Sequence, residues 1–123
     1  MKFELDMPVG LNVISSYGPG YVMVNQVRYE KSLIVTPTRV IEAWRPARVG
    51  DLDASHFEFL LGLSAEIVLL GTGARLEFPH PRLAQCLKDA RVGLEVMDNG
   101  AACRTYNVLA ADKRNVAVAV LLS

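Results

Sequence analysis

Two short segments of this chain, Ile67–Leu70 and Val116–Leu122, are apolar without interruption. Strands with this pattern are typical of a sheet that is covered by helices on both faces, because every side chain then needs an apolar neighbour. Neither segment approaches the roughly 20 residues that a membrane-spanning helix needs. The two segments therefore predict an α/β domain with a buried central sheet.

Segments with helical patterns precede and separate these strands. The first helix is expected to begin at Asp51 or Asp53, since either carboxylate suits the N-terminal cap. It is expected to end near Gly62, where glycine tolerates a left-handed backbone. A second helix is expected from about Pro81 to Arg91, because proline suits a first helical position. One helix thus precedes the first apolar strand and another follows it.

A third helix is expected to begin at Asp98 or Asn99, after a short strand in which Leu94 and Val96 alternate with a polar residue. Strand–helix–strand units of this length favour parallel, right-handed connections. The second half of the chain is therefore predicted to alternate regularly between helices and strands.

The first half of the chain is predicted to be rich in β structure. Short β-branched and aromatic runs, bounded by turn residues, occur at Tyr21–Val24, Val27–Tyr29, Ser32–Thr36 and Val40–Trp44. The predicted fold is a three-layer α/β domain with a central mixed sheet, in which a β-rich N-terminal half is followed by the order α-β-α-β-α-β. Because 123 residues is the size of one domain, residues 1–123 are predicted to form a single domain.

Charge and composition limit the classes of partner. Thirteen basic residues balance thirteen acidic ones, which gives a formal net charge of zero. Because phosphate contacts supply most of the affinity of nucleic-acid binders, this balance argues against nucleic acid and leaves a protein partner or self-association open. Met1–Asp6 lacks the long apolar stretch of a secretory signal. The protein is therefore expected to be soluble and cytoplasmic, without insertion into a membrane.

The segment Gly71-Thr72-Gly73 follows the first apolar strand directly. In open α/β sheets, ligands bind beyond the carboxyl ends of the strands, and paired glycines let a ligand approach the backbone closely. The segment is not a dinucleotide fingerprint, because Leu76 stands where a third glycine is required. The alternative is that both glycines serve only the geometry of the backbone.

The start of the third helix is expected at the same edge of the sheet. Its free N–H groups, together with Arg75, Arg104 and Asn107, would make a small pocket for an anion or a carboxylate. The alternative is that Asp98 already satisfies those N–H groups and that Arg104 pairs with Asp98. The identity of any such ligand is not specified by the sequence.

Two further features have weaker functional interpretations. Cys103 lies early in the third helix, where a thiol can become reactive, but a buried and inert thiol is the favoured alternative. The two cysteines and two histidines show no metal-ligand spacing, so no metal site and no cofactor are predicted. Trp44 and Arg45 have the composition of a protein interface, although Trp44 could equally cover the core.

Three segments, Gly71–Pro79, Glu95–Asp98 and Ala101–Leu109, resemble a family of uncharacterised bacterial and archaeal proteins. The mitochondrial assembly factor 3 of NADH:ubiquinone oxidoreductase (complex I) is similar to that family. The resemblance implies a three-layer α/β fold with extra β structure on one side, and it implies neither an activity nor catalytic residues. Asn99 stands where the resemblance leads us to expect threonine or serine.

Two classes of function follow. The first is a protein-interaction or assembly-factor-like module, since the mitochondrial relative assists assembly through protein contacts. The second is a small-molecule or anion-binding protein, or an unrecognised enzyme, that uses the loops at the carboxyl edge of the sheet. An exposed apolar patch would favour the first, and a concave pocket with Arg75 or Arg104 pointing into it would favour the second.

Overall fold

A computed structural model describes residues 10–123 of the chain. In chain order, the strands are β1 Ile14–Gly18, β2 Tyr21–Val24, β3 Val27–Tyr29, β4 Leu33–Val35, β5 Val40–Ile41, β6 Ile67–Gly71, β7 Gly93–Met97 and β8 Val116–Val120. The α-helices are α1 Ala54–Leu61, α2 Gln85–Asp89 and α3 Asn99–Ala111, and short 3-10 turns lie at Val49–Asp51 and Pro81–Ala84.

The main sheet has five strands in the order β5-β4-β8-β6-β7. Strand β6 is parallel to β7 and β8, whereas β4 is antiparallel to β8 and β5. A second, antiparallel sheet contains β1, β2 and β3. The predicted α/β class, with a mixed central sheet and a β-rich first half, is confirmed.

The central strand β8 shows why its uninterrupted apolar pattern is required. Val118 and Val120 pack in a core with α3 and the three-stranded sheet, while Ala117 and Ala119 pack in a second core with α1 and α2. All five residues of β8 are fully buried. Burying one valine-sized or larger side chain contributes about 1.5–3 kcal/mol. The main sheet is thus the middle one of three layers.

Strand β1 was not expected, because Ile14–Gly18 contains two serines and has no clear alternation. It is held by a residue far along the chain: the amide of Asn107 on α3 accepts from the Ile14 N–H at 2.9 Å and donates to the Ile14 carbonyl at 2.8 Å. A helix side chain therefore supplies hydrogen bonds that a neighbouring strand would normally supply.

One predicted strand end was wrong, and so was one predicted turn conformation, although α1 does end at Leu61 beside Gly62 as expected. The strand expected over Val40–Trp44 stops at Ile41, and Ala43 then takes a positive φ of 55°. Gly62 is not left-handed after α1; it keeps a helical φ of −65°, and Ser64 takes the positive φ of 60°. In both places a non-glycine residue makes the left-handed turn, which composition does not indicate.

The start of α1 agrees with its cap, because the Asp53 carboxylate accepts from the Ser55 N–H at 2.9 Å. The helix expected over Pro81–Arg91 opens instead as the 3-10 turn at Pro81–Ala84, in which His80 Nδ1 accepts from the Arg82 N–H. Between residues 10 and 123, no helix combines the length and the apolar composition that crossing a bilayer requires. The expectation about a secretory signal concerns Met1–Asp6, which lies outside the described residues.

Candidate functional site

Three parallel strands end together at one edge of the main sheet. Gly71 of β6 is in register with Met97 of β7 and with Val120 of β8. A cleft of about 510 Å³ lies at this edge, and the turn between β1 and β2 contributes its opposite wall. We call it the edge cleft, and its main lining residues are Tyr17, Gly18, Gly73, Asp98, Gly100, Arg104 and Leu121–Ser123.

Gly71, the last residue of β6, and Gly73, just after the strand, serve different purposes. A Cβ atom on Gly71 would lie 2.5 Å from Asn99 Oδ1 and 3.3 Å from Ala102 Cβ, so glycine allows α3 to approach β6 closely. Gly73 has a φ of 105°, a backbone conformation that favours glycine, and open space surrounds the position of its missing Cβ. Gly71 thus sets helix packing, whereas Gly73 makes a turn that borders the cleft.

Thr72 fixes the loop that follows this turn. Its N–H donates to the Met97 carbonyl at 2.9 Å. Its hydroxyl donates to the Arg75 carbonyl at 2.6 Å and accepts from the Glu77 N–H at 3.1 Å. The Arg75 side chain is exposed, and it is not among the residues that line the edge cleft. The polar groups of Thr72 are therefore used in hydrogen bonds within the protein. Only the backbone of Arg75 takes part in these bonds.

Asn99 joins the start of α3 to two strand ends. Its Oδ1 accepts from the Gly73 N–H at 3.0 Å, and its Nδ2 donates to the Leu121 carbonyl at 2.8 Å. An amide supplies an acceptor and a donor on two separate atoms, so one side chain makes both contacts at once. Asn99 was expected as a possible helix cap and as a departure from threonine or serine, and it was not among the predicted site residues.

Asp98 and Arg104 both line the edge cleft, but they act separately. The Asp98 carboxylate caps α3 by accepting from the Ala101 N–H at 2.9 Å. The Arg104 guanidinium donates to the Tyr17 hydroxyl and lies 5.9 Å from the centre of the Tyr17 ring. A Cβ atom on Gly100 would come within 2.9 Å of that hydroxyl, so glycine gives Tyr17 its place beside Arg104.

Two predicted residues lie in the core instead of the cleft. Asn107 is fully buried, and both atoms of its amide bond the backbone of Ile14 as described above. Cys103 is also fully buried, and desolvation raises the pKa of its thiol to about 12, against a smaller lowering effect of Arg104. The structure thus favours the alternative of an inert thiol.

Trp44 and Arg45 differ in their surroundings. Trp44 is only 8% exposed and packs edge-to-face with the His56 ring, at 5.8 Å between ring centres. It belongs to the core formed with α1, which matches the core-covering alternative. Arg45 remains exposed beside it.

An exposed apolar loop follows the Gly73 turn. Within this loop, residues 74–80, Leu76 is 52% exposed and Phe78 is 70% exposed. Thr72 holds the loop through its bonds to the backbone of Arg75 and Glu77. We call residues 74–80 the apolar loop; it was not predicted as a functional surface. The signal that could have found it is the alternation of Leu76 and Phe78 with charged residues, in a segment rich in glycine and proline.

The sequence from residue 14 to residue 121 matches a family described as proteins of unknown function, DUF498/DUF598. The chain belongs to this family. The predicted resemblance to a family of uncharacterised proteins is thereby confirmed. Its predicted similarity to assembly factor 3 is confirmed by a relative of that name, described next.

Two relatives and one solved structure show the range of the family. The "13 kDa major membrane protein" of Francisella tularensis is 29% identical over 108 residues, which cover 85% of this chain and 86% of that protein. The NADH dehydrogenase (ubiquinone) 1 alpha subcomplex assembly factor 3 of Danio rerio is 32% identical over 111 residues, which cover 89% of this chain and 63% of that protein. The crystal structure of a Bordetella parapertussis protein is 39% identical, with a TM-score of 0.87 over 94% of this chain and 100% of that one.

Proposed function

We propose that this chain is a protein-interaction module that acts in the assembly of a larger protein complex. The apolar loop carries the proposal, because exposed Leu76 and Phe78 offer a surface that a protein partner can cover. The Danio rerio relative, which is named an assembly factor, supports the same class of role. The neutral charge of the chain agrees with a protein partner and gives no basis for nucleic-acid binding.

The way the loop is held favours tight binding. Aromatic side chains dominate the binding energy of many interfaces, and burying one phenylalanine contributes about 1.5–3 kcal/mol. Because Thr72 fixes the backbone on both sides of Leu76, little conformational freedom is lost when a partner covers the loop.

Site-specific photocrosslinking in cells of the source organism tests this proposal. A photoreactive residue at position 78 is compared with one at Val27, which is 53% exposed and lies on β3. We expect a partner protein that crosslinks from position 78 and not from position 27. The amount of this partner that co-purifies with the chain should fall about tenfold or more with Phe78→Ser. It should stay unchanged with Val27→Ser. Identical crosslinks from both positions, or no loss with Phe78→Ser, would overturn the proposal.

We place this module in the cytoplasm, because its two cysteines, Cys86 and Cys103, are unpaired, as is typical of proteins in a reducing compartment. The Francisella relative is named a membrane protein, and fractionation of cells distinguishes the two locations. When lysed source cells are separated into a soluble fraction and a membrane pellet, and the pellet is washed with high salt, the chain should be recovered in the supernatants. Recovery in the washed membrane pellet would contradict a cytoplasmic location.

A second candidate function is the binding of a small anionic ligand in the edge cleft. The cleft volume of about 510 Å³ falls in the range of small-molecule sites, and Arg104 is a cation on its wall. NMR titration with phosphate and with citrate tests this function. Saturable shifts at Gly73 and Gly100 that Arg104→Gln abolishes would support it, whereas shifts that are absent or unaffected by Arg104→Gln would exclude these anions.

A further inference from the structure

A second groove lies at the opposite edge of the main sheet. It adjoins the amino ends of β6 and β8, where Ile67 is in register with Val116, and it has a volume of about 500 Å³. We call it the amino-edge groove. The residues that matter for its chemistry are Leu11, Pro37, Arg39, Leu63, Lys113 and Arg114.

The walls of the amino-edge groove are held by internal hydrogen bonds. The Thr36 hydroxyl accepts from the N–H groups of Thr38 and Arg39, at 3.3 and 3.0 Å, which closes the turn between β4 and β5. On the other wall, the amide of Asn115 donates to the Ser64 carbonyl at 2.8 Å. The groove is therefore preformed, and a ligand need not order it.

The lining of this groove combines apolar side chains with charge of one sign. Leu11, Pro37 and Leu63 are partly buried in it, whereas Arg39 and Lys113 are exposed at its rim. Three of its ten lining residues are basic and none is acidic. The edge cleft differs, because it contains one acidic and one basic side chain. In a chain without net charge, this groove is a local basic surface around an apolar floor.

The acidic groups nearby neutralise only part of this charge. The Arg114 guanidinium donates to Glu66, at 2.9 Å between Nε and Oε1, and the negative charge of Asp112 also attracts Arg114. Among residues 10–123, neither Arg39 nor Lys113 forms an ion pair. These two cations therefore remain available to an occupant that brings its own negative charge.

We propose that the amino-edge groove binds a short segment of a partner protein in which acidic and aliphatic side chains adjoin. Aliphatic groups would cover the floor at Pro37 and Leu63, and carboxylates would meet Arg39 and Lys113 at the rim. A lipid surface fits less well, because membrane-binding faces project their apolar side chains, whereas here the apolar side chains are partly buried and the cations are exposed. This site is separate from the apolar loop, and it does not depend on the function proposed above.

Fluorescence anisotropy with the full chain tests this site. The probe is a labelled synthetic peptide in which glutamate alternates with leucine, and the reference is the same peptide with lysine in place of glutamate. We expect saturable binding of the glutamate peptide only, weakened by added salt because exposed charges are screened. Arg39→Glu and Lys113→Glu should each lower the affinity about tenfold. Both residues are exposed, and circular dichroism checks that the variants are folded.

Lys31→Glu is the matched control, because it makes the same charge change at an exposed residue beyond the other edge of the sheet. It should leave the affinity for the glutamate peptide unchanged. Absence of saturable binding, equal binding of the lysine peptide, or an equal loss with Lys31→Glu would overturn the proposal. Binding to phosphatidylglycerol vesicles that exceeds peptide binding and depends on Arg39 would assign the groove to lipid instead. Self-association that Arg39→Glu abolishes would assign it to a second copy.

Discussion

Asn99 and Gly73 form a reciprocal pair of hydrogen bonds. The Asn99 N–H donates to the Gly73 carbonyl at 2.9 Å, and the Gly73 N–H donates to Asn99 Oδ1 at 3.0 Å. The side-chain amide of Asn99 also donates, through Nδ2, to the Leu121 carbonyl. The two loops that sequence analysis placed at one edge of the sheet are therefore joined directly, and a residue outside the predicted set joins them.

Replacing Asn99 with alanine should destabilise the fold. The substitution leaves the Gly73 N–H and the Leu121 carbonyl without their partner, in partly buried surroundings. We expect the free energy of unfolding to fall by about 1–3 kcal/mol, measured by urea denaturation. Asn99→Ser should recover little, because a hydroxyl is too short to reach both groups. A loss within the ±0.5 kcal/mol typical of surface substitutions would contradict this role.

Alanine at Gly71 and at Gly73 should be harmful for different reasons. At Gly71 the new methyl group meets Asn99 and Ala102, so overpacking should cost about 1–3 kcal/mol. At Gly73 the space is free, and the cost of roughly 1 kcal/mol or more comes from the φ of 105°. Gly50→Ala is the control, since it has neither a close neighbour nor a left-handed backbone. Thermal unfolding that ranks Gly50→Ala with the other two would refute this account.

Asn107→Ala should be among the most destabilising single substitutions in the described part of the chain. It leaves the buried N–H and carbonyl of Ile14 unpaired and opens a cavity beneath β1. We expect a loss of roughly 2–4 kcal/mol in denaturant unfolding. Hydrogen exchange should show the Ile14 amide losing protection before amides of β8. An unchanged exchange rate at Ile14 would show that Asn107 does not hold this strand.

Burial of Cys103 predicts a specific response to alkaline pH. The thiol pKa rises from 9.0 to about 12 on folding, so the folded state holds this proton more tightly than the unfolded state. The resulting stability is complete below pH 9 and is lost as pH rises from 9 towards 12. Cys103→Ala should therefore flatten the decline of unfolding free energy in that window. An equally steep decline in the variant would show that Cys103 does not contribute.

The local patterns of the sequence predicted the elements whose packing depends on their own residues. Val116–Val120 is apolar on both faces and is the central strand, and Asp53 and Asp98 cap α1 and α3. Strand β1 could not be found in this way. It pairs with β2 on one side, and on the other side its first residue, Ile14, is bonded by Asn107, 93 residues away. A single polar residue in a helix pattern does not indicate which backbone it will meet.

The candidate site was predicted only in part for the same reason. The shared edge of the sheet and the cleft position of Gly73, Asp98 and Arg104 follow from strand order and helix starts. The partnership of Arg104 with Tyr17 depends on how the three-stranded sheet folds over α3, which periodicity does not encode. Exposure of Phe78 also depends on tertiary packing, since an apolar side chain in a loop is as easily buried as exposed.

The place of β8 in the sheet has a consequence for synthesis of the chain. Strands β4 and β6 flank β8, so both keep an unpaired inner edge until Val116–Val120 has left the ribosome. Strands β4 and β6 must therefore wait, with their inner edges unpaired, for the later strand β8 to close the sheet. Translation that stalls before residue 116 would release a product in which β4 and β6 each keep an unpaired strand edge. Such a product is prone to aggregate and is a substrate for chaperones and proteases.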